Sequence, residues 1–290
     1  MGFVLAPLVR FGVFIQRRRD LGDSPRCHAR VTTAMTASRK LDVSPDTDTL
    51  SRRVADMVVE HSDDAIRARG AFNVAVSGGS LPSMLAKYLV QPDVADKVQW
   101  DKWNLFFADE RCVPLDDDES NYKLVKSALL DRISIPDAQV FPIDPALSPE
   151  ACAAEYQARM LKAETTGSGF VAPSGSGVVF DLVLLGMGPD GHTASLFPGH
   201  KLLEEHTKLV AHIEDSPKPP PSRITLTFPV LNAARCVAFL AAGSGKQEMM
   251  VRIHQQKDST LPAQCVQPEN GTLIWYMDSA AAEKLPANVA

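Results

Sequence analysis

The 290-residue sequence has few cysteines and no long uninterrupted apolar run. Its five cysteines form no C-x-x-C pair, so neither a disulfide framework nor a zinc site is expected, and a reducing compartment is the default. No stretch of about 18 uninterrupted apolar residues occurs, so no membrane span is expected. Since the sequence also lacks a Gly-x-Ser-x-Gly elbow and a clustered His/Cys/Asp pattern, it favours neither nucleophilic catalysis nor a bound metal.

Positive charge is scarce in the body of the chain. Residues 1–40 hold seven Arg and one Lys against two Asp, a formal charge of +6, so the other 250 residues carry −11 of the total of −5. An acidic body argues against non-specific nucleic-acid binding, because that affinity comes mainly from Lys and Arg neutralising phosphates. Any anionic ligand must therefore be met by a local cluster of basic groups.

The basic segment 1–40 opens on an apolar stretch that Arg10 interrupts. Its composition suits an organelle transit peptide better than a secretory signal. A disordered extension, or sequence upstream of an internal start at Met35, is the alternative interpretation. We expect a cytoplasmic protein, with plastid or mitochondrial targeting as the alternative, and one domain over residues 41–290.

Helical and strand patterns alternate along that domain. Apolar positions at helical spacing predict a helix at 47–69, with Asp46 or Thr47 as its N-cap and Gly70 as its stop. Further helices are predicted at 81–90 and from Pro149 to about 164, and a surface loop at 165–177. Strands are predicted at 72–76, 103–107, 178–185, 209–213, 223–228 and 236–242. This alternation indicates an α/β fold with a doubly wound, mostly parallel sheet and helices on both faces.

Polar motifs follow four of these strands, at residues 77–80, 109–111, 186–192 and 243–246. In open α/β sheets, ligands bind outside the carboxyl ends of the strands. The shared placement of the four motifs therefore predicts one ligand site at that edge of the sheet.

The first motif, Ser77-Gly78-Gly79-Ser80, lies between a strand and a helix and suits a phosphate cradle. Its glycines allow backbone N–H groups to approach an anion, and the helix start adds a partial positive charge. A turn without a ligand is the alternative. Lys246, at another helix start, is a candidate partner for a phosphate, although its segment fails the P-loop pattern.

The segment 186–191 matches G-x-G-x-x-G after a strand, which by itself suggests a dinucleotide site. Pro198, however, leaves little room for the crossover helix that such a site requires. We therefore interpret the segment as a reactive loop that carries Asp190 and His192. A histidine with an ordinary pKa of about 6.5 suits a general base that activates water, whereas a structural histidine is the alternative.

Two further strand ends carry charged candidates. Asp109, Glu110 and Arg111 offer two carboxylates and a guanidinium, for which an ion-paired loop is the alternative interpretation. Arg223 follows the stiff segment 217–221, which contains four prolines and would hold the entry to its strand in place. An ordinary charge at a strand edge is the alternative for Arg223.

Several long segments together resemble the 6-phosphogluconolactonase family, in order, from about residue 45 to the C-terminus. These are Ser77-Gly-Gly-Ser-Leu81, Ala108-Asp-Glu-Arg-Cys-Val-Pro114, Glu119-Ser-Asn-Tyr122, Gly186 to Pro198 and Lys218 to Arg235. The resemblance implies hydrolysis of 6-phospho-D-glucono-1,5-lactone to 6-phosphogluconate in the oxidative pentose phosphate pathway, without metal or cofactor. The partner implied is a small sugar phosphate, not nucleic acid or membrane, and we expect a monomer or weak homo-oligomer.

Carried over to this sequence, the resemblance implies that the 77–80 loop, Arg223 and Lys246 hold the phosphate. His192 would take a proton from water attacking the lactone carbonyl, oriented by Asp190 or Asp109. Arg111 would either stabilise the developing oxyanion or contact the phosphate.

The related glucosamine-6-phosphate deaminase/isomerase shares these loops and is an alternative function. Its pattern continues into Asn-Glu-Pro, whose glutamate transfers protons, whereas the matching position here is Phe197, which cannot. This departure favours simple hydrolysis. A non-catalytic sugar-phosphate-binding module is the third hypothesis.

Overall fold

The computed structural model describes residues 38–162, 170 and 177–286. Residues 1–37 of the expected extension lie outside the described residues. So does the predicted loop at 165–177, apart from residues 170 and 177. The described chain begins directly with a strand, and residues 38–40 at the end of the expected extension belong to it.

The strands form two sheets. They are β1 (Ser38–Ser44), β2 (Phe72–Val76), β3 (Trp103–Phe107), β4 (Asp109–Arg111), β5 (Val140–Phe141), β6 (Leu182–Gly186), β7 (Val210–Ile213), β8 (Arg223–Leu226), β9 (Cys236–Ala241) and β10 (Thr272–Asp278). The seven-stranded sheet has the order β1-β10-β9-β6-β2-β3-β5, and its strand pairs are parallel. The predicted mostly parallel sheet is therefore confirmed.

Helices cover both faces of the large sheet. They are α1 (Thr47–Arg69), α2 (Leu81–Leu89), α3 (Pro92–Ala95), α4 (Asn121–Ala128), α5 (Pro149–Met160), α6 (Phe228–Ala233), α7 (Gln247–His254), α8 (Pro262–Cys265) and α9 (Ser279–Ala282). Neighbouring residues of one strand face different cores: Val74 packs in the core that contains α1 and α2, and Ala75 in the core that contains α5 and α7. This alternation confirms the doubly wound architecture, because each central strand is buried on both faces.

Helix α1 begins and ends where its sequence predicts. The Asp46 side chain accepts a hydrogen bond from the Thr49 N–H at 2.7 Å, which satisfies one free donor of the first turn. Gly70 ends the helix at φ +81°, and its N–H donates to the Ile66 carbonyl at 2.8 Å. Both ends are therefore stabilised by local hydrogen bonds that the sequence already indicates.

The prediction that 209–213 and 223–228 join the large sheet is wrong. Strands β7 and β8 form a separate antiparallel sheet with β4, in the order β4-β8-β7. The nine residues 214–222 between β7 and β8 are too few for a parallel crossover, which needs a dozen or more. Several predicted elements are also shorter than expected, and the largest differences are that β6 begins at Leu182 and α5 ends at Met160.

The carboxyl ends of β2, β3, β6 and β9 lie at one edge of the sheet, where the four polar motifs follow them. After β6 the chain turns repeatedly, and the next helical element is a short 3-10 turn at Lys201–Glu204. No full crossover helix follows the G-x-G-x-x-G segment within the described residues 187–209. The segment therefore departs from the dinucleotide-binding unit.

Candidate active site

The four strand-end loops enclose one cavity of about 230 Å³. Nine of the ten sequence-predicted site residues line it: Ser77, Gly78, Gly79, Ser80, Asp109, Arg111, His192, Arg223 and Lys246. Asp190 is the exception, and it contacts His192, which does line the cavity. The loops thus bring together all the candidate residues at one place.

The 77–80 loop presents unused polar groups to this cavity. Ser77 is buried, and its Oγ has no hydrogen-bond partner. Gly79 has a φ of +72°, a left-handed conformation that favours glycine. Helix α2 follows without a side-chain cap on its first turn, so its free N–H groups and positive dipole end remain available to an anion.

Close packing of this loop against helix α4 requires Gly78. A Cβ at Gly78 would lie 1.9 Å from Oδ1 of Asn121. Asn121 is 1 % exposed and lines the cavity, and its Oδ1 has no hydrogen-bond partner. Unpartnered buried polar atoms are uncommon in proteins, and Asn121 and Ser77 place two of them in residues that line the cavity.

Asp190, and not Asp109, contacts the ring of His192. Nδ1 of His192 lies 2.5 Å from Oδ1 of Asp190. Because a carboxylate only accepts hydrogen bonds, Nδ1 carries the hydrogen and Nε2 is left as the nitrogen that can take up a proton. The loop holds this geometry through Gly188, whose N–H donates to the His192 carbonyl at 2.9 Å.

The charge state of the pair follows from burial and from its neighbours. Burial lowers the pKa of His192 below its ordinary value, while the hydrogen bond and charge of Asp190 oppose this and the charge of Lys218 adds to it. Burial raises the pKa of Asp190, but hydrogen bonds from His192 and Lys218 outweigh it and lower the pKa overall. A neutral imidazole beside an ionised carboxylate is the form that a general base needs.

Asp109 does not contact His192 and accepts hydrogen bonds from Ser195 and Asn121. Its Oδ2 accepts a hydrogen bond from Oγ of Ser195 at 2.8 Å, and its backbone carbonyl accepts one from Nδ2 of Asn121 at 2.8 Å. Ser195 in turn lies 3.4 Å from Nη1 of Arg223. Asp109 is therefore linked to Arg223 through Ser195.

The Pro-rich segment holds the guanidinium of Arg223 in place. Nε donates to the Pro220 carbonyl at 2.9 Å, and Nη2 donates to the carbonyls of Lys218 and Pro219 at 3.0 and 2.9 Å. Burial lowers the pKa of Arg223, yet a guanidinium stays charged in proteins. With one Nη1 hydrogen near Ser195, a single N–H of the five remains for a ligand.

The antiparallel sheet places the two arginines side by side, since Arg111 of β4 lies opposite Arg223 of β8. Nη1 of Arg111 donates to the Glu119 carbonyl, whereas its buried Nε has no partner. Nζ of Lys246, which also lines the cavity, donates to the Met187 carbonyl at 2.5 Å. Burial lowers the pKa of Lys246, and the charge of Lys218 lowers it further, with Asp190 opposing.

Phe197 is the residue that the sequence resemblance matches with the glutamate of a related deaminase. Phe197 is 1 % exposed, and the centroid of its ring lies 4.8 Å from that of the His192 ring. The guanidinium carbon of Arg223 lies 5.7 Å from the centroid of the Phe197 ring. An apolar ring at this place supports the imidazole and offers no second acid.

Sequence reasoning missed three polar residues of the site. These are Asn121, Ser195 and Lys218. Each lies inside a segment that carries the family resemblance, so position within a motif was an available signal. What the sequence did not reveal was which of these side chains face the site.

Glu110 is a fully buried carboxyl that anchors the start of helix α4. It accepts backbone N–H bonds from Arg111, Asn121 and Tyr122, each at 2.7 Å. Burial raises the pKa of Glu110 to about 7, the charge of Asp109 adds to this, and the three N–H bonds oppose it.

A raised carboxyl pKa makes stability fall as pH rises. The folded state keeps the Glu110 proton up to about pH 7, whereas the unfolded chain loses it near 4.5. We expect the free energy of unfolding of the wild type to decrease relative to Glu110→Gln between about pH 5 and pH 8, by on the order of 3 kcal/mol. Denaturant titrations of both proteins measure this difference, and a difference that stays constant with pH would contradict the assignment.

The described part of the chain holds neither a metal-binding cluster nor a membrane-spanning helix. Among residues 38–162, 170 and 177–286, no group of three or more His, Cys, Asp or Glu side chains could hold a metal ion. In the same part of the chain, no helix combines the length and the apolar composition needed to cross a membrane.

Fold and site together define a class of protein: an α/β protein with a cavity lined by cationic side chains and a His–Asp pair at the strand ends. A family model described as "Glucosamine-6-phosphate isomerases/6-phosphogluconolactonase" matches residues 45–275. The chain belongs to this family, which confirms the resemblance drawn from its motifs.

Three relatives place the chain within the family. The human protein named "6-phosphogluconolactonase" is 50% identical over 222 residues, which cover 75% of this chain and 82% of the relative. The Arabidopsis thaliana protein named "6-phosphogluconolactonase 3, chloroplastic" is 44% identical over 232 residues, 80% and 71% of the two chains. The solved structure of the Trypanosoma brucei 6-phosphogluconolactonase is 28% identical in sequence and has a TM-score of 0.73. The match covers 87% of this chain and 100% of the chain in that structure.

Proposed function

We propose that this protein hydrolyses 6-phospho-D-glucono-1,5-lactone to 6-phospho-D-gluconate. The observation that carries the proposal is the His192–Asp190 pair beside a cationic cavity, with Phe197 where a deaminase needs an acid. The names of the human, Arabidopsis and Trypanosoma relatives support the same reaction.

Each step follows from the tautomer that Asp190 enforces. Nε2 of His192 takes a proton from a water molecule as its oxygen attacks the lactone carbonyl carbon. The tetrahedral intermediate then breaks its bond to the ring oxygen, and the imidazolium returns the proton to that oxygen. Asp190 stabilises the imidazolium between these steps, and the product is an open-chain acid that ionises.

The cations have distinct proposed tasks. We assign the substrate phosphate to the N–H groups of the 77–80 loop, with Arg223 and Lys246. Arg111 supplies its unused guanidinium hydrogens to the developing oxyanion or to the phosphate. These two tasks differ in the kinetic constant that Arg111→Gln changes, because an oxyanion contact acts on kcat and a phosphate contact acts mainly on KM.

Removing the Lys246 charge tests the phosphate site. A hydrogen bond to a charged group contributes about 1.5–3 kcal/mol, so Lys246→Gln should raise KM about 10- to 100-fold and change kcat less. Lys201→Gln is the matched control, because Lys201 is exposed and lies outside the cavity. Steady-state kinetics of the two variants measure the effect, and an unchanged KM in Lys246→Gln would remove Lys246 from the phosphate site.

The reaction itself is tested with 6-phosphogluconate dehydrogenase as the coupling enzyme. We expect purified protein to form 6-phosphogluconate faster than spontaneous hydrolysis does. Release of ammonia from glucosamine 6-phosphate would instead indicate the deaminase. Binding by calorimetry without turnover of either substrate would indicate a sugar-phosphate-binding module.

Location and assembly are further proposals. The basic composition of residues 1–40 and the chloroplastic name of the Arabidopsis relative support a plastid as a candidate compartment, beside the cytoplasm and the mitochondrion. Mass spectrometry of the native N-terminus tests for cleavage of that segment. A monomer or weak homo-oligomer stays a prediction that sedimentation would test.

A further inference from the structure

Lys218 reaches the His192–Asp190 pair from the Pro-rich segment. Its Nζ lies 3.1 Å from Oδ1 of Asp190 and 3.3 Å from Nδ1 of His192. An ammonium group can only donate hydrogen bonds, and Nδ1–H already points to the same Oδ1. Two donors therefore converge on one carboxylate oxygen and compete for it.

The backbone of Lys218 is fixed, whereas its side chain is about one-third exposed. Oγ of Ser216 donates to the Lys218 carbonyl at 2.8 Å, and the Lys218 N–H donates back to that Oγ at 3.2 Å. Nη2 of Arg223 donates to the same carbonyl at 3.0 Å. Because a proline stands on each side of Lys218, the backbone holds the Cα of Lys218 beside the site.

Several charged groups face the imidazole of His192. Asp190 and Asp109 raise its pKa, Lys218 lowers it, and burial lowers it most. The charge of Lys218 also adds to burial in lowering the pKa of Lys246, so Lys218 acts on a second cationic residue of the site. The guanidinium carbon of Arg223 lies 5.7 Å from the centroid of the Phe197 ring, and Nε of Arg223 donates to a backbone carbonyl.

We propose that Lys218 is a positioning residue of the hydrolase, which competes with His192 for Asp190 and so keeps the imidazole neutral in the empty site. The role rests on the proposed function, because it serves a histidine that acts as a base. A doubly charged substrate phosphate in the cavity attracts Nζ of Lys218. As Nζ moves toward the phosphate, Asp190 loses the hydrogen bond from Lys218 and keeps the one from His192. His192 therefore becomes more basic once the substrate has bound.

The test is an NMR titration of the His192 ring in the full-length protein, with its signals assigned by comparison with His192→Asn. Without the competing ammonium, the His192 pKa in Lys218→Met should exceed that of the wild type by about one pH unit. Lys218→Arg keeps the charge and should restore the wild-type titration. A purely structural role for Lys218 would not produce this pattern.

Kinetics give the second measurement. The base must be unprotonated, so a higher His192 pKa moves the acid limb of the kcat/KM profile to higher pH. Lys218→Met should then lose more activity near pH 6 than near pH 8, and inorganic phosphate should raise the His192 pKa more in the wild type than in the variant.

The outcomes separate the two proposals. A His192 pKa in Lys218→Met that equals or falls below the wild-type value overturns the role of Lys218, and Lys218→Gln provides the same reading if the Met variant does not fold. Because the NMR titration needs no turnover, absence of lactone hydrolysis with a raised His192 pKa would contradict only the proposed function.

Discussion

Replacing His192 with asparagine should lower kcat/KM for 6-phosphogluconolactone by about 10² to 10⁴. An asparagine amide can still donate to Asp190, yet it has no nitrogen that takes up a proton at neutral pH. The phosphate contacts at Arg223 and Lys246 stay intact, so the loss should appear in kcat with little change in KM. Steady-state assays corrected for spontaneous hydrolysis measure both constants.

His206→Asn is the matched control for this substitution, because His206 is exposed and lies outside the cavity. It should keep wild-type kinetics. If His192→Asn instead kept the wild-type kcat, water activation by His192 would be wrong, even with the family membership unchanged.

Adding one methyl group at Gly188 should disable the same histidine without removing it. A Cβ at Gly188 would lie 2.0 Å from Cε1 and 2.1 Å from Nδ1 of His192, and 2.7 Å from Oδ1 of Asp190. Since these contacts are far shorter than any real Cβ contact, the ring must move. A displacement of about 1 Å can cost on the order of 10² in rate, so we expect Gly188→Ala to lose about that much kcat.

Gly245→Ala is the control for backbone effects of the added methyl group. A Cβ at Gly245 meets nothing within 4 Å, and its φ is not in the left-handed region. Thermal melting should show both variants folded, and only Gly188→Ala should be slow. Wild-type kcat in Gly188→Ala would mean that the imidazole is not held in its reactive position by this loop.

The sequence could predict the elements that local signals define. Helix α1 carries an Asp cap and a Gly stop, and strands β2 and β3 are short apolar runs that end in polar loops. The small antiparallel sheet could not be predicted, because it depends on pairing between β4 and β8, more than a hundred residues apart. Strands β1 and β10 were also missed, and they are stabilised by pairing with each other at one side of the large sheet.

For the site, the sequence predicted which loops meet but not how their side chains bond. His192 and Asp190 are two residues apart in one loop, so their proximity was predictable, whereas the choice between Asp190 and Asp109 required the structure. Lys218 reaches the pair from 26 residues away in the chain. Such contacts depend on tertiary packing, which no local pattern encodes.

The most direct measurement compares the wild type with His192→Asn on freshly prepared lactone, followed by ³¹P NMR with spontaneous hydrolysis subtracted. We expect the wild type to convert the lactone to 6-phosphogluconate rapidly, and the variant to remain within reach of the spontaneous rate. A wild type no faster than spontaneous hydrolysis, or a variant as fast as the wild type, would contradict a lactonase that activates water through His192.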